Sequence, residues 1–465
     1  MNKNIPKISE NKKFKIKPKS DVIFELSSFI AGINLIKADK DVFMLKVGNR
    51  YAALSDSEAK TIIKSLIHTD DQLKISASTL TEVLERLRDH ESMQISLDEE
   101  TKSSVDFIKV KNGIYSIKKN KLIDESNSKL VFSYELNFNY VENADLSKAI
   151  NFMTLVNTSI GKDNLKLFLE ILGYLASSYT KARKAFWFIG AGKDGKSTLC
   201  NEIEEAIGEE YCSNVSFHKI GNEQSIIKFV GKKLNISREN SGSRPMRDDE
   251  AFKSLVCNEK VEGRRLYENS KEFVPKLKFL FAGNHFPVFT HMDSAILDRI
   301  LPVYFLDRQK NGIPTDLDLA DKLKAERDIV WSVALSHIQP LAKRGFEFSV
   351  PEATASIMTH KYKELLTVKE FFDENYVLDP MGKISSVAIF NHYNEWCAAN
   401  ALIPEGKTTF YTHLKELSVS IIYTKVSING EKVNGFKGLS KKRDDIESCD
   451  DNHSKIPNCI TNENA

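Results

Sequence analysis

The chain has little of several features that mark special classes of protein. Its 465 residues include only six cysteines, 12 prolines and 21 glycines. No apolar run approaches the roughly 20 residues that a membrane-spanning helix needs. No two cysteines form a CxxC pair, so we expect reduced thiols and no structural zinc. The amino terminus lacks the apolar stretch of a signal peptide, which predicts a cytoplasmic protein without a membrane partner.

Composition and charge fit an ordinary globular protein. Hydrophobic residues make up 41% and charged residues 28%, and the length allows two to four domains. The formal net charge is only +2, so overall charge does not indicate a nucleic-acid partner. Residues 1–20 differ, with seven lysines against the single acid Glu10, and we expect a basic disordered tail there. Weak, sequence-independent attraction to phosphate is the alternative.

A phosphate-binding sequence stands where apolar strands begin to alternate with helices, a pattern that predicts an α/β domain. Gly190-Ala191-Gly192-Lys193-Asp194-Gly195-Lys196-Ser197 matches G-x-x-x-x-G-K-[ST] in full. It follows the buried-type strand Phe186–Ile189 and precedes a helix from Thr198. Backbone N–H groups of such a loop point at phosphate, Lys196 reaches the β- and γ-phosphates, and Ser197 offers its hydroxyl to Mg²⁺. We predict an ATP and Mg²⁺ site at residues 190–198.

Later segments of this region end in residues that ATP hydrolysis needs. Leu234–Glu239 is a strand that ends in an acid, which can hold Mg²⁺ or polarise water. Asn284 follows another apolar strand, and its amide can orient the attacking water. Arg299 is a cation that can act on the ATP of a neighbouring subunit. Each also has a simpler explanation. Glu239 can be an ordinary acid at a strand end, Asn284 an ordinary turn residue, and Arg299 a member of a surface salt bridge.

As a set, these segments resemble the successive motifs of superfamily 3 helicases, in the branch of phage and plasmid primase–helicases and the poxvirus primase–helicase. The resembling segments are Gly190–Ser197, Leu234–Glu239, Phe252–Tyr267, Lys276–Pro287 and Leu297–Phe305, with Lys111–Tyr115 and Leu165–Leu175 upstream and Lys322–Trp331 downstream. The resemblance covers about residues 100–440. It implies a hexameric ring of AAA+-type motors that translocate on DNA, with host replication proteins as further partners.

The resemblance also implies roles for single residues. They are Lys196 and Ser197 for ATP and Mg²⁺, Glu239 as the strand-end acid and second Mg²⁺ ligand, Asn284 as the sensor and Arg299 as the finger acting in trans. Lys271 is the expected DNA contact of a pore hairpin, with Arg264 and Arg265 as alternatives.

Two departures from the family bear on activity. Many superfamily 3 members have two adjacent acids at this motif, but here Arg238 stands beside Glu239. Either the Glu239 carboxylate alone holds Mg²⁺ and polarises water, or an Asp elsewhere assists. Val22–Ser104 is too short for the primase domain that often precedes the motor. Asp39-Lys40-Asp41 has the D-x-D form that two-metal polymerisation uses, but acids in a charged loop are mostly solvated. We expect no primase activity.

The last part of the chain has the element order of a winged helix. Helices are predicted at Ser385–Asn400 and Thr408–Leu417, followed by a β-hairpin over Ser420–Leu439 that turns at Asn429-Gly430. The outward face of the second helix and the hairpin supply the predicted duplex contacts, namely Thr408, Tyr411, Thr412 and Lys415 on the helix and Lys425 and Lys432 at the hairpin. A winged helix that binds protein is the alternative.

The sequence therefore predicts an α/β AAA+-type phosphate-loop motor with a mixed α+β N-terminal and collar region and a C-terminal winged-helix domain. The predicted regions are a tail (1–20), an N-terminal domain of unassigned role (21–104), a helical collar (105–184), the motor (185–346), linker helices (347–380), the winged helix (381–440) and a polar disordered tail (441–465). The predicted function is an ATP-dependent DNA helicase or replication initiator of a phage, plasmid or mobile element. An origin-binding or regulatory protein that uses ATP only for assembly is the alternative.

Overall fold

A computed structural model describes most of the chain, which divides into two compact units, Met1–Tyr362 and Lys363–Ala465. The described residues are 12–17, 21–33, 35–39, 42–47, 50–124, 129–240, 248–264, 270–287, 289, 294–308, 312, 316–400, 402–428 and 430–442. None of the helices in these ranges combines the length and the apolar character that a membrane span requires.

The first unit begins with helices packed on a small antiparallel sheet. Its elements are α1 (Val22–Ile33), β1 (Ile36–Asp39), β2 (Val42–Val47), β3 (Arg50–Leu54), α2 (Asp56–Ser65), α3 (Ala77–Asp89) and α4 (Leu97–Glu100). The strands pair in the order β1-β2-β3. Ser55 and Glu58 form a reciprocal capping box that fixes the start of α2. The apolar faces of α1, α2 and α3 meet the sheet in a core of their own.

The predicted tail at 1–20 is wrong for residues 12–17. Phe14 is buried in the N-terminal core, and its backbone bonds to Leu66 and His68 at 2.9 and 2.8 Å. The lysines around Phe14 dominate the composition and conceal this one apolar anchor. The Phe14 ring, the partly buried Ile16 and a third hydrogen bond, from Ile16 N to the Asp71 carboxylate at 3.0 Å, complete the attachment to the N-terminal core.

The collar region follows as a second small sheet and two helices. Its elements are β4 (Phe107–Val110), β5 (Gly113–Ser116), β6 (Lys121–Ile123), α5 (Ile150–Ser159) and α6 (Leu165–Ala176). β4 and β5 form a hairpin in which Val110 pairs with Gly113 across the two-residue turn Lys111-Asn112. The segment Leu165–Leu175, singled out for its resemblance, lies in α6, which is buried on nearly every side.

A parallel five-stranded sheet lies at the centre of the first unit. The elements in this stretch are β7 (Ala185–Ile189), α7 (Lys196–Ile207), β8 (Cys212–Ser213), α8 (Glu223–Ile226), β9 (Leu234–Asn240), α9 (Asp249–Val256), β10 (Val261–Gly263), β11 (Lys271–Phe273), β12 (Lys278–Gly283), α10 (Ser294–Leu297) and β13 (Ile300–Tyr304). The strand order is β13-β7-β12-β9-β8, with β10 and β11 forming a separate antiparallel pair. The three strands β7, β12 and β13 are mainly apolar and almost wholly buried because both faces of the sheet are covered, whereas β9 carries polar residues towards its carboxyl end.

The collar and the sheet share one hydrophobic core. Helices α11 (Leu319–Ser336) and α12 (Ile338–Lys343) return to pack against α5, α6 and α7. Trp331 of α11 stacks on Phe138 at 5.5 Å, and both belong to the core that also contains Phe186 and Phe188 of β7. The predicted ranges 105–184 and 185–346 therefore fold around the same interior.

The second unit is a helical pair on a three-stranded antiparallel sheet. It takes the end of α13 (Glu352–Asn375) and then β14 (Tyr376–Ser385), α14 (Ser386–Ala399), α15 (Lys407–Leu417), β15 (Ile422–Ile428) and β16 (Glu431–Lys441). Both predicted helices and the hairpin are confirmed. The predicted boundary between linker helices and winged helix at residue 380 is wrong, because β14 runs through it and pairs with β16. Residues 443–465, most of the predicted polar tail, lie outside the described residues.

Candidate functional site

The predicted phosphate-binding residues form the connection between β7 and α7. The loop leaves β7 at the carboxyl edge of the sheet, and the backbone turns through positive φ at Gly192 (111°), Lys193 (51°) and Gly195 (95°). A Cβ on Gly195 would lie 2.7 Å from the Ser159 hydroxyl, so both conformation and space require glycine there. Lys196 is the first residue of α7, and Ser197 is exposed in its first turn.

The hydrogen-bond donors of this loop converge on one anion, the Asp194 carboxylate. Its oxygens accept from the Lys196 backbone N–H at 3.2 Å and from the Lys196 ammonium, and they lie 3.5 Å from the Gly192 nitrogen. The ammonium also donates to the Gly190 carbonyl at 2.8 Å. Lys196 and Asp194 are 6% and 2% exposed. The donor set is therefore chemically suited to hold a phosphate oxygen where the carboxylate now lies.

Two further predicted residues lie at the same edge of the sheet. β12 is the neighbour of β7, and its last residue Gly283 accepts a hydrogen bond from Gly190 at 3.2 Å. Asn284 follows directly and is exposed. Glu239 lies near the end of β9, one strand further, where Asn240 pairs with Gly283. The backbone thus places the loop, Asn284 and Glu239 along one edge, although the Glu239 side chain is not among those described.

The end of β9 is held by two side chains that sequence reasoning did not assign. Asn240 is buried, accepts from Phe217 N at 2.9 Å and donates to the Ala282 carbonyl at 3.0 Å, which fixes β9 against β12. Arg238, which stands beside Glu239, pairs with Glu204 of α7. The charge of Arg238 is therefore balanced within the unit. For Asn240, the only signal in the sequence was its place directly after a strand-end acid.

Arg299 lies at the opposite edge of the sheet from the loop of its own chain. It directly precedes β13, and its carbonyl accepts from the N–H of Ala185, the first residue of β7. The five residues of β7 separate this point from the loop by roughly 15 Å. The guanidinium donates to the Ala295 carbonyl at 2.6 Å and contacts the Cys257 sulfur at 3.3 Å. Arg299 and Lys196 are therefore not brought together within one chain.

Helix α5 of the collar supports the loop from behind. The carbonyl of its last residue, Ser159, accepts from Leu306 N at 2.6 Å, and the Ser159 side chain faces Gly195. The buried Glu326 carboxylate of α11 holds the other end of α5, accepting from Asn151 N and Phe152 N at 2.9 and 2.8 Å. Nothing in the local sequence signals this contact, because the two partners are more than 170 residues apart.

Burial keeps two groups near the loop protonated. It raises the pKa of the Cys200 thiol, on the inner face of α7, to about 12. It also raises the pKa of Tyr304, at the end of β13, to about 12. Neither group is a nucleophile at neutral pH. The Cys200 thiol is therefore not a candidate for covalent catalysis at this edge, whose described donors are suited to binding an anion.

The predicted pore residues lie on or near the antiparallel pair β10–β11. Gly263 pairs with Lys271, so the two strands form the base of a hairpin. Arg264 is half exposed and bonds to Glu223 at 2.8 Å. Arg265 lies outside the described residues, as does the Lys271 side chain.

In the second unit, three of the predicted duplex contacts on α15 are exposed and one is not. Thr408, Thr412 and Lys415 are exposed, as are Lys425 and Lys432 on the hairpin strands. The predicted outward placement of Tyr411 is wrong: its ring lies 5.2 Å from Phe436 and its hydroxyl donates to the Ser386 carbonyl at 2.7 Å. The hairpin covers that side of the helix, which the helical period alone does not reveal.

Comparison with known proteins adds distant similarities. No curated protein matches the chain. An apo A-form structure of the NrS-1 C-terminal region shares 11% identity at a TM-score of 0.46, covering 89% of this chain and 98% of that one. An A-form apo structure of its residues 305–718 shares 12% identity at a TM-score of 0.44, covering 90% of this chain and 99% of that one. Another apo structure of the same residues shares 12% identity at a TM-score of 0.46, covering 90% of this chain and 100% of that one. Residues 188–299 match the model of a family of unknown function, DUF5906.

Proposed function

We propose that the chain is an ATP-dependent DNA helicase or replication initiator of a phage, plasmid or mobile element, acting as a ring oligomer. One observation carries the proposal. Donors of residues 190–196 converge on the loop's own Asp194 carboxylate at the carboxyl edge of a parallel sheet, beside the ends of the strands that lead to Glu239 and Asn284. The crevice outside the carboxyl ends of parallel strands is where such sheets bind ligands.

At this site each side chain has a distinct task in hydrolysis. The Lys196 ammonium neutralises the phosphates, and the N-terminus of α7 adds its N–H groups. Ser197 and Glu239 are the residues that would hold Mg²⁺, and the ion supplies charge neutralisation at the phosphates. Asn284 orients the water that attacks the γ-phosphorus, since an exposed amide directly after β12 can both donate to and accept from it.

The position of Arg299 supports the proposed oligomer. Its guanidinium lies at the edge of the sheet away from its own loop, so the proposed role of Arg299 is at the site of a neighbouring subunit. In a head-to-tail ring every interface would join one loop to the next subunit's Arg299. A hexamer is the proposed closure, by resemblance to superfamily 3.

Two regions are proposed to contact DNA. The β10–β11 hairpin would carry Lys271, or Arg264 or Arg265, to the backbone of a strand in the pore, where contacts must be independent of sequence. The exposed face of α15 would meet duplex DNA through Thr408, Thr412 and Lys415, with Lys432 on the hairpin. Host replication proteins are proposed as further partners.

The test is ATP turnover by the purified full-length chain with Mg²⁺, measured with and without single-stranded DNA. The proposal expects hydrolysis that DNA stimulates. Hydrolysis that is unaffected by DNA would favour the alternative, a protein that uses ATP for assembly. An absence of both binding and hydrolysis in the folded protein would contradict the site itself.

A further inference from the structure

The inner surface of the 190–196 loop is already filled by a side chain of the loop. The Asp194 carboxyl group is only 3% exposed and holds the Lys196 ammonium, whose side chain is 7% exposed. A methyl group at Gly190 would lie 2.1 Å from one carboxylate oxygen, so the carboxylate rests directly on the first residue of the loop. The loop therefore contains its own anion.

The carboxylate and a bound phosphate need the same donors. The Lys196 ammonium and its backbone N–H both serve Asp194, and the Gly192 nitrogen faces it. A buried ammonium without a counter-ion is costly, so Asp194 stabilises the loop before a ligand arrives. Ligand binding is then an exchange of one anion for another, and the apparent affinity falls by the fraction of loops from which Asp194 has swung out.

We propose that Asp194 is a specificity-determining residue that a ligand must displace, so that polyphosphates open the loop and single phosphates do not. This rests on the proposed function of the loop. A single inorganic phosphate would gain little beyond the donors that Asp194 already satisfies. A nucleoside triphosphate is longer, so it also reaches the N–H groups of α7 beyond Lys196 and the Ser197 side chain, which is exposed.

The test uses the full-length chain with Asp194→Asn, Asp194→Ala and, as a matched charge control, Asp321→Asn on the exposed surface of α11. Calorimetry would measure binding of ATP with Mg²⁺, inorganic pyrophosphate and inorganic phosphate. Both Asp194 variants should bind ATP at least about tenfold more tightly, equivalent to about 1.4 kcal/mol. They should also bind inorganic phosphate measurably, whereas the wild type and Asp321→Asn should not.

A second measurement separates displacement from a simple change of charge. Amine-reactive labelling followed by mass spectrometry reports whether the Lys196 ammonium is accessible. In the wild type without ligand it should be protected, in Asp194→Ala it should react several-fold faster, and ATP should restore protection. Asp321→Asn should behave as the wild type does.

The outcomes distinguish the two proposals. If the wild type binds ATP and the folded Asp194 variants bind it equally or more weakly, Asp194 is not a competitor and this inference is overturned, while the nucleotide site stands. Unchanged Lys196 labelling in Asp194→Ala overturns it as well. If neither wild type nor variants bind ATP or pyrophosphate, both proposals fail. Binding only in the variants supports both.

Discussion

At the scale of single residues, the account depends most on Lys196, whose ammonium is the one cation inside the described 190–198 loop that is buried and directed at an anion. We expect Lys196→Ala to abolish ATP hydrolysis while the chain stays folded. The loss follows because a point charge on the phosphates is removed, and the fold survives because Asp194 can turn towards the exposed side of the loop. Turnover and a thermal melt measure the two parts.

The matched control is Lys324→Ala, which removes a lysine from the exposed face of α11. It should hydrolyse ATP at the wild-type rate. Near-normal turnover in a folded Lys196→Ala protein would refute the assignment of the loop.

Arg299 gives a second residue-scale prediction. Arg299→Ala should bind ATP almost normally but lose most turnover, since a finger acting in trans stabilises transition-state charge and is worth about 10³ to 10⁵ in rate in related chemistry. The hydrogen bond to Ala295 is lost too, so a melt must accompany the assay. Mixing Arg299→Ala with Lys196→Ala subunits should restore partial activity. Unaltered hydrolysis by Arg299→Ala would eliminate the finger.

At the scale of elements, two central strands begin at buried lysines. Lys233 directly precedes β9, and Lys278 is the first residue of β12. Both ammonium groups donate to the Ser177 carbonyl. The Lys233 nitrogen lies 3.8 Å from the centre of the Tyr134 ring. Burial lowers the pKa of Lys233 from 10.5 to about 7, and burial together with the charge of Lys233 lowers the pKa of Lys278 well below its usual value.

These shifts make stability depend on pH in a defined direction. Between about pH 7 and 10.5 an unfolded lysine holds a proton that folded Lys233 has lost, so the free energy of unfolding rises with pH across this window. Lys233→Met should therefore melt at a higher temperature than the wild type at pH 7, and the gain should shrink towards pH 10. Thermal melts across this range, with Lys324→Met as control, measure it. A difference in melting temperature between Lys233→Met and the wild type that stays constant from pH 7 to pH 10 would contradict the shifted pKa of Lys233.

Helical and hairpin elements could be predicted because their signals are local. The apolar period of α6, α14 and α15 appears within a dozen residues, and the glycine of the β15–β16 turn is explicit, with Gly430 at φ 86°. Strand β14 could not be predicted, since Asp379-Pro380-Met381-Gly382 has the composition of a turn. The structure accommodates it as a bulge between Asp379 and Lys383 in the pairing with β16.

At the scale of the whole molecule, the candidate site assembles from distant parts of the chain. The strand-end positions of the phosphate-binding sequence, Glu239 and Asn284 could be predicted from sequence, and strand ends of a parallel sheet share one edge. The support given by Ser159 and Glu326 could not be predicted, because it depends on how α5 and α11 pack. The same packing joins the predicted collar and motor into one core.

Sequence preference is predicted to belong to the second unit. A pore must pass every base, so its contacts are to the backbone, whereas a helix face can reach base edges that discriminate by about 1–3 kcal/mol each. Full-length Thr412→Ala/Lys415→Ala should keep ATP hydrolysis but lose any enrichment of particular sequences from a random duplex pool. Lys324→Ala is again the control. Enrichment of the same sequences by the double variant would place recognition elsewhere in the chain.

The most direct test of the central claim is unwinding of a forked DNA duplex by the purified full-length chain with ATP and Mg²⁺. The account predicts strand separation that requires ATP hydrolysis, persists in Lys324→Ala and disappears in Lys196→Ala. The claim would be contradicted by a folded wild-type chain that hydrolyses ATP but leaves the duplex intact, both on substrates with a 3′ single-stranded tail and on substrates with a 5′ tail.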